Sequence, residues 1–141
     1  MNVAIVGATG YGGIQAVNLL KNNKNYKISY LGGNKSSGSK WNNHFPFIYL
    51  NSDLLIEEIS VENISNNSDI ALLCLPNGIS STLTRGLLEK GLKVIDLSAD
   101  YRYKSLDNWK KVYTREASIY KRNDDDLCKE AIYGLPEINK D

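Results

Sequence analysis

The chain has 141 residues, of which 42% are hydrophobic and 23% are charged, as expected for one globular domain with a sizeable core. Its net charge of +1 gives no general reason to expect binding to nucleic acid or to membranes, and no apolar run is long enough to span a bilayer. Two cysteines without metal-type spacing, together with an N-terminus that lacks a secretory signal pattern, indicate a reduced, cytoplasmic protein.

The first elements predicted are a strand, a glycine-rich turn and a helix. Residues 1–6 form an apolar run, and a helical pattern covers residues 11–22. Between them, Gly7 would turn the chain off the strand, Gly10 would let the backbone approach a pyrophosphate, and Gly13 would let the helix lie close to the sheet. This order of elements predicts a dinucleotide-binding turn. The Gly-x-x-Gly-x-x-Gly spacing is looser than Gly-x-Gly-x-x-Gly, and a purely structural turn is the alternative.

A second strand at residues 26–31 completes a βαβ unit, and a polar loop follows at residues 32–43. In NAD-binding domains an acidic residue at the end of this strand holds the ribose 2′-hydroxyl. Residues 1–52 contain five lysines and no acidic residue. The loop instead offers hydrogen-bond donors and one positive charge, on Asn34, Lys35, Ser36 and Ser37. This pattern favours NADP over NAD, the alternative being a polar loop without a ligand.

The remaining elements continue the alternation of strands and helices. They are a strand with a short turn at residues 54–64, a buried strand at 69–75, a helix at 80–90, a strand at 93–97, a surface excursion at 101–126 with a short helix near 108–113, and a last periodic segment at 127–133 that residues 134–136 break. Ser80 or Ser81 should cap the helix at residues 80–90, and Gly91 should end it. The alternation predicts an α/β fold with a doubly wound, mostly parallel sheet in one domain, residues 1–141.

Several polar residues admit both a functional and a structural interpretation. Ser98 follows a strand at the edge where such sheets bind ligands, which makes it a candidate contact for cofactor or substrate. Asp96, Asp100 and Arg102 lie at the same edge; for Asp100 and Arg102, contact with a ligand and a structural role, in which they pair with each other or cap a turn, are both open. Trp109 and Tyr113, at helical spacing, are expected to pack rather than to stack on a base.

The residue types that commonly carry catalysis or bind metal are expected to be structural here. Cys74 lies in an apolar strand and Cys128 in a predicted helix, so neither is expected to act as a nucleophile. His44 is expected to be an ordinary loop residue. The run of three carboxylates at residues 124–126 lacks the spacing of a calcium loop, and a solvated charge cluster is expected there.

Four segments occur in an order that resembles one family. These are Gly-Ala-Thr-Gly-Tyr-Gly-Gly at 7–13, Leu-Pro-Asn-Gly-Ile-Ser at 75–80, Val-Ile-Asp-Leu-Ser-Ala-Asp-Tyr-Arg at 94–102 and Ala-Ile-Tyr-Gly-Leu-Pro-Glu at 131–137. The whole chain resembles the N-terminal part of the N-acetyl-γ-glutamyl-phosphate reductases of arginine biosynthesis. It departs from them at Asn77, where histidine is usual, and at Gly12, where threonine or alanine is common.

The resemblance implies a Rossmann-type NADP-binding domain without its substrate domain. The cofactor-binding residues implied by the motifs and the resemblance together are Gly7, Thr9, Gly10, Tyr11, Gly12, Gly13, Asn34, Lys35, Ser36, Leu75, Pro76, Asn77 and Ser98. Tyr11 is expected to cover the cofactor, and Asn77 to hydrogen-bond near the nicotinamide.

The resemblance also implies a mechanism for the complete enzyme. A cysteine attacks the small-molecule acyl phosphate, NADPH reduces the resulting thioester to the semialdehyde, and a histidine serves as acid and base. The family's cysteine segment follows the Tyr-Gly-Leu-Pro-Glu region, beyond Asp141. The chain alone is therefore expected to be inactive, to expose apolar surface and so to be marginally stable or self-associating, and to belong to a homo-oligomeric enzyme. The alternatives are the aminoadipyl counterpart, aspartate-semialdehyde dehydrogenase, or a non-catalytic NADP-binding module.

Overall fold

The computed structural model describes residues 1–134. Its elements in chain order are β1 (Asn2–Val6), α1 (Tyr11–Leu20), β2 (Lys27–Gly32), α2 (Trp41–His44), β3 (Ile56–Glu57), α3 (Val61–Asn67), β4 (Ile70–Leu73), α4 (Ser80–Glu89), β5 (Lys93–Asp96), α5 (Leu106–Val112), α6 (Thr114–Ile119) and α7 (Asp125–Glu130), with 3-10 turns at Asn34–Ser36 and Pro46–Ile48. Residues 134–136, which are predicted to end the last periodic segment, and the end of the motif at 131–137 lie largely outside the described residues.

The five strands form one parallel sheet in the order β3-β2-β1-β4-β5. The chain runs outward from β1 to β3 and then returns to the other side of β1 to build β4 and β5. This is the doubly wound α/β architecture that the sequence predicts, with its switch point between β1 and β4. Across that point Val3 is in register with Ile70, and Val6 with Leu73.

Alternate residues of β1 feed two separate cores, because successive side chains of a strand point to opposite faces. Val3 and Ile5 pack in the core that contains Val17 of α1. Ala4 and Val6 pack on the other face, in the core that contains the side chains of α3 and α4. Both faces of the central strand are therefore covered, which explains the continuous apolar run at the start of the sequence.

Two segments differ from the sequence prediction. The strand expected over residues 54–64 is only two residues long in β3, and α3 follows it. Ser60 starts this helix, since its Oγ accepts a hydrogen bond from the Asn63 N–H at 3.1 Å. The expected surface excursion contains α5, α6 and the start of α7, which enclose a third small core around Leu106, Trp109 and Cys128. Within residues 1–134, no helix is long and apolar enough to cross a membrane.

Candidate functional site

Four loops meet at one edge of the sheet, where β1, β2, β4 and β5 end. The thirteen residues named as cofactor-binding candidates all lie in these loops or in the first turn of α1. In doubly wound sheets, ligands bind at this carboxyl edge, in the crevice at the switch point. Here that crevice lies between the glycine turn after β1 and the loop after β4.

The glycine turn is tight because two of its glycines allow close backbone contacts. Gly7 has a φ of +83°, and a Cβ there would come within 2.4 Å of the Cys74 carbonyl oxygen. A Cβ on Gly13 would lie 2.2 Å from the Gly7 carbonyl oxygen. The N–H groups of Gly7 and Ala8 both donate to the Gly32 carbonyl at 2.9 Å. The expected roles of Gly7 in the turn and of Gly13 in close helix packing are therefore confirmed.

The N-terminus of α1 is open. Gly10 occupies the cap position without a capping side chain, the first turn carries no acidic residue, and Gly10, Tyr11 and Gly12 are exposed. The other described helices of seven or more residues are capped by Ser60, Ser105 or Asp100. An uncapped helix start presents N–H groups and the positive end of the helix dipole, an arrangement suited to phosphate.

The loop after β2 adjoins the glycine turn. A Cβ on Gly33 would lie 3.4 Å from Cγ2 of Thr9, so the two loops are in near contact. Asn34, Lys35 and Ser36 form the 3-10 turn that follows. The Asn34 Oδ1 accepts a hydrogen bond from the Ile59 N–H at 2.8 Å, which holds this turn against the loop after β3. Lys35 is exposed and forms no ion pair within residues 1–134.

Two carboxylates from β3 and the residue after it lie near the loop after β2. Glu57 is paired in register with Gly32, and Glu58 follows it, so both residues lie at the same sheet edge as the loop after β2. Together with burial, their charges raise the pKa of Tyr30 to about 12. The segment after β2 is free of acidic residues, as the sequence states, but its surroundings are not. Parallel pairing of β2 with β3 was the only signal that could have placed these two residues there.

The loops after β4 and β5 bind each other through their side chains. The Asn77 Oδ1 accepts a hydrogen bond from the Ala99 N–H at 2.9 Å. In return, the Asp100 carboxylate accepts from the Gly78 N–H at 2.6 Å and from the Ser81 N–H at 3.0 Å. Asp100 therefore caps α4 from another loop, and the expectation that Ser80 or Ser81 would cap this helix is wrong.

Leu75, Pro76 and Ser98 are the other predicted residues of these two loops. Leu75 and Pro76 connect β4 to Asn77, whose Oδ1 is engaged as above. The Ser98 hydroxyl donates to Asp96 at 2.7 Å and accepts from the Asp100 N–H at 3.1 Å. Burial raises the pKa of Asp96 in spite of the hydrogen bonds that it accepts from Ser98.

Asp100 and Arg102 make different contacts within the protein. Asp100 caps a helix, whereas Arg102 donates to the Tyr113 hydroxyl at 2.9 Å. Trp109 is fully buried, and its ring centroid lies 5.6 Å from that of Tyr113, which confirms the expectation that the two pack together.

The cysteines and the histidine show no nucleophile that is ready to react. Cys74 follows β4, and burial together with the charge of Asp96 raises the pKa of its thiol to about 11. Cys128 is buried, and desolvation raises its pKa as well. Nε2 of His44 lies 2.9 Å from the Ser39 hydroxyl, in the segment between β2 and β3. These positions agree with the structural roles that the sequence indicates.

The three consecutive aspartates are not one solvated cluster. Asp124 is buried and pairs with Arg122 at 2.9 Å, so the expectation is wrong for this residue. Asp125 and Asp126 are partly exposed and bind Lys129 and Arg85 respectively. Within residues 1–134, no group of three or more histidine, cysteine, aspartate or glutamate side chains is arranged to hold a metal ion.

A cleft of about 520 Å³ lies beside the crevice rather than in it. It is bounded by α4, β5 and α7, and its lining includes Leu88, Leu97 and Ile132, all of them exposed. Asp96 and Ser98 also line it, whereas no residue of the glycine turn does. The lining of the cleft is mixed, since Thr84, Arg102 and Glu130 join the apolar side chains.

Comparison with known proteins agrees with this geometry. The profile of the semialdehyde dehydrogenase NAD binding domain matches residues 2–141. The N-acetyl-gamma-glutamyl-phosphate reductase of Prochlorococcus marinus strain MIT 9215 is 84% identical over all 141 residues, which are 40% of its own length. The chain thus spans about two fifths of the curated relatives that it matches.

Solved structures give the same fold. Aspartate semialdehyde dehydrogenase with NADP from Candida albicans aligns with 72% of this chain and 30% of its own at 21% identity and a TM-score of 0.60. Aspartate semialdehyde dehydrogenase II from Vibrio cholerae, complexed with ASA, aligns over 72% of this chain and 29% of its own, at 26% identity and a TM-score of 0.57. The crevice therefore lies in a nucleotide-binding fold of the Rossmann type.

Proposed function

From the premise that the chain belongs to the semialdehyde dehydrogenase NAD-binding domain family, we propose that residues 1–141 are the NADP-binding domain of an N-acetyl-γ-glutamyl-phosphate reductase. The complete enzyme would reduce N-acetyl-γ-glutamyl phosphate to the semialdehyde and release phosphate, using NADPH and a proton. The 84% identity to a reductase of that name, against 26% or less for the aspartate semialdehyde dehydrogenases described above, supports this substrate over aspartyl phosphate.

The observation that carries the proposal is the uncapped start of α1 behind the glycine turn. A phosphate placed there would accept hydrogen bonds from backbone N–H groups and would meet the positive end of the helix dipole. The exposed backbone at Gly10 and Gly12 leaves room for such an approach. NADPH supplies hydride when bound. This chain's own part is to hold the phosphates, orient the two halves of the dinucleotide and leave the crevice open to substrate.

Lys35 supports NADP over NAD. Its side chain is exposed, lies in the turn after β2 and is not neutralised by an ion pair within residues 1–134. In this position it can pair with a ribose 2′-phosphate. Glu57 and Glu58 at the same edge would oppose that phosphate, so the preference depends on Lys35 and the neighbouring N–H and hydroxyl donors.

The first experiment is a calorimetric titration of the chain with NADP and NAD in parallel. The proposal predicts tighter binding of NADP, and a Lys35→Ala variant should weaken NADP about tenfold, equivalent to ~1.4 kcal/mol, while leaving NAD unchanged. Lys24→Ala is the matched control, because Lys24 is also exposed but precedes β2, at the opposite edge of the sheet. Equal affinity of the unchanged chain for the two dinucleotides would refute the preference, and binding of neither would refute the proposed domain function.

The proposal assigns the covalent chemistry to residues outside this chain. A nucleophilic cysteine needs an accessible thiolate, whereas the thiol of Cys74 has a pKa near 11 and Cys128 is buried. The 141-residue chain should therefore bind NADPH without oxidising it when N-acetyl-γ-glutamyl phosphate is added. Reductase activity that a thiol reagent abolishes, measured by NADPH absorbance, would contradict this assignment.

The same proposal includes a homo-oligomeric complete enzyme in a reduced, cytoplasmic setting. Both cysteines are free thiols, in keeping with that setting. Ile95 of the edge strand β5 and Leu97, which directly follows that strand, are 52% and 56% exposed. Such surface supports an element or subunit that covers it in the complete enzyme. Sedimentation of the chain with and without a Leu97→Glu change would test whether this surface drives self-association.

A further inference from the structure

Asp100, in the loop after β5, binds both the loop after β4 and the start of α4. Its carboxylate is fully buried and accepts two backbone N–H groups, from Gly78 and from Ser81. Gly78 has a φ of +87°, so the chain turns here in a conformation that other residues seldom adopt. The carboxylate therefore ties the turn at residues 77–78 to the start of α4 and keeps both in one arrangement.

Arg122 contacts Asp100 through its guanidinium. Its side chain is 3% exposed, and its guanidinium lies 5.0 Å from the ring centroid of Tyr101 and 4.5 Å from that of Trp109. Nη1 donates to the Asp100 carbonyl at 2.7 Å and lies 3.9 Å from its carboxylate. Nε and Nη2 bind both oxygens of Asp124 at 3.0 and 2.9 Å. The guanidinium is therefore held by hydrogen bonds to two residues and by contacts with two aromatic rings, as a bidentate, stacked arginine can be.

Tyr120, two residues before Arg122, packs directly against the turn at residues 77–78. A Cβ on Gly78 would lie 2.1 Å from the ring of Tyr120, so the tyrosine packs against the glycine itself. Tyr120 and Arg122 lie between α6 and α7, far along the sequence from the loop that they restrain. We refer to residues 120–124 as the strap.

We propose that Asp100, held by Arg122 of the strap, is a positioning residue that shapes the turn at residues 77–78 for the second half of the dinucleotide. The inference rests on the proposed function. In a doubly wound sheet each half of the strand set receives one mononucleotide, so the loop after β4 faces the half that the glycine turn does not hold. Neither Asp100 nor Arg122 needs to touch the cofactor, since both act through the backbone at residues 77–78.

The test compares two ligands on the 141-residue chain. NADP uses both halves of the crevice, whereas 2′,5′-ADP uses only the glycine turn and the loop after β2. Asp100→Asn, which keeps the size of the side chain but removes its charge and one acceptor, should weaken NADP about tenfold and leave 2′,5′-ADP unchanged. Arg122→Gln should do the same, with Arg122→Lys intermediate because it keeps the charge but loses the stacked, bidentate contact.

Asp126→Asn is the matched control. Asp126 binds Arg85 of α4 at 2.7 Å, so it also joins α4 to α7 by an ion pair, but it does not contact the loop after β4. Its removal should change neither affinity. Amide hydrogen exchange adds a readout without ligand: the Gly78 and Ser81 amides should exchange faster in Asp100→Asn than in the unchanged chain, while the amides of β1 keep their protection.

The outcomes separate the two hypotheses. If the unchanged chain does not bind NADP, the proposed function fails and the inference fails with it. If the unchanged chain binds NADP but Asp100→Asn binds it equally well, or loses both ligands equally, the inference alone is refuted. If Asp100→Asn does not fold, as judged by circular dichroism, Arg122→Lys decides: a selective loss of NADP supports the inference, and unchanged NADP binding refutes it.

Discussion

Replacing Gly13 by alanine is the sharpest test of the glycine turn. The added Cβ would lie 2.2 Å from the Gly7 carbonyl oxygen and 2.6 Å from the Ala8 Cα. Both are backbone atoms, so no side-chain rotation can relieve the contact. The helix and the turn would have to separate by roughly 1 Å to restore ordinary contact distances. Overpacking of this kind lowers the free energy of unfolding by about 2 kcal/mol, which for a chain of this length is a melting temperature lower by about 8 °C.

Gly12→Ala is the matched control in the same helical turn. The nearest atom to a Cβ at Gly12 is 3.8 Å away, which is ordinary contact, so alanine adds no clash. Alanine also restricts the unfolded chain more than glycine does and favours the helix, which should raise the free energy of unfolding by about 0.5 kcal/mol. The two substitutions, one residue apart, are therefore expected to change stability in opposite directions.

Thermal unfolding followed by circular dichroism measures both variants directly. Urea unfolding with equal slopes would show that the unfolded states are comparable, so that the midpoints report stability alone. If Gly13→Ala were as stable as Gly12→Ala, the close packing of α1 on the turn would not be the reason for glycine at position 13. NADP titration of the Gly13→Ala sample should show lost affinity, because the separation of helix and turn displaces the N–H groups at the start of α1.

Three further predictions concern the crevice and the strap. Gly10→Ala should keep its melting temperature, since the nearest atom to the new Cβ is 3.4 Å away. It should nevertheless weaken NADP in calorimetry, because the proposed phosphate site needs the backbone at Gly10 to be free of a side chain. The pKa of the Cys74 thiol is about 11, against 9.0 for a free thiol. Cys74 should therefore react with iodoacetamide at pH 8 about a hundredfold more slowly than a free thiol, because less of it is thiolate. A rate like that of free cysteine would show that the thiol is not buried. Burial would raise the pKa of Asp124, but hydrogen bonds from Arg122 and Tyr101 outweigh it, so the pKa is lowered. Asp124→Asn should therefore reduce the free energy of unfolding at pH 7, and the difference from the unchanged chain should shrink below about pH 4, where the free carboxyl group is protonated. A difference that stays constant with pH would contradict this.

The first half of the fold could be predicted from sequence because its signals are local. The apolar run of β1, the glycine turn and the helical period of α1 lie within twenty residues, and β2 follows at the spacing of a βαβ unit. The loops that carry the candidate residues were placed correctly for the same reason: each directly follows a predicted strand. The parallel order of the sheet then brings them to one edge.

The cap of α4 could not be predicted in this way. Local reading favoured Ser80 or Ser81, which are good capping residues next to the helix. The structure uses Asp100 instead, whose carboxylate reaches the Gly78 and Ser81 amides across about twenty residues of sequence. Glu57 was missed for a similar reason, since it lies beside the loop after β2 only through the pairing of β2 with β3. Contacts of this range depend on strand order, which a single sequence specifies only indirectly.

The two helices beside the switch point show how the protein assigns its phosphate site. Helices α1 and α4 both have ten residues, and both follow parallel strands that end at the same edge. Each would attract an anion to its N-terminus. At α4 the chain fills that position with its own buried carboxylate, Asp100, which would repel a phosphate. At α1 it places glycine and no acidic residue. Asp100→Asn combined with Gly10→Ala should therefore not create a phosphate site at α4, because the strap still covers Gly78. Pyrophosphate should protect the backbone amides of residues 11–13 from exchange in the unchanged chain, and it should protect no amides in the double variant.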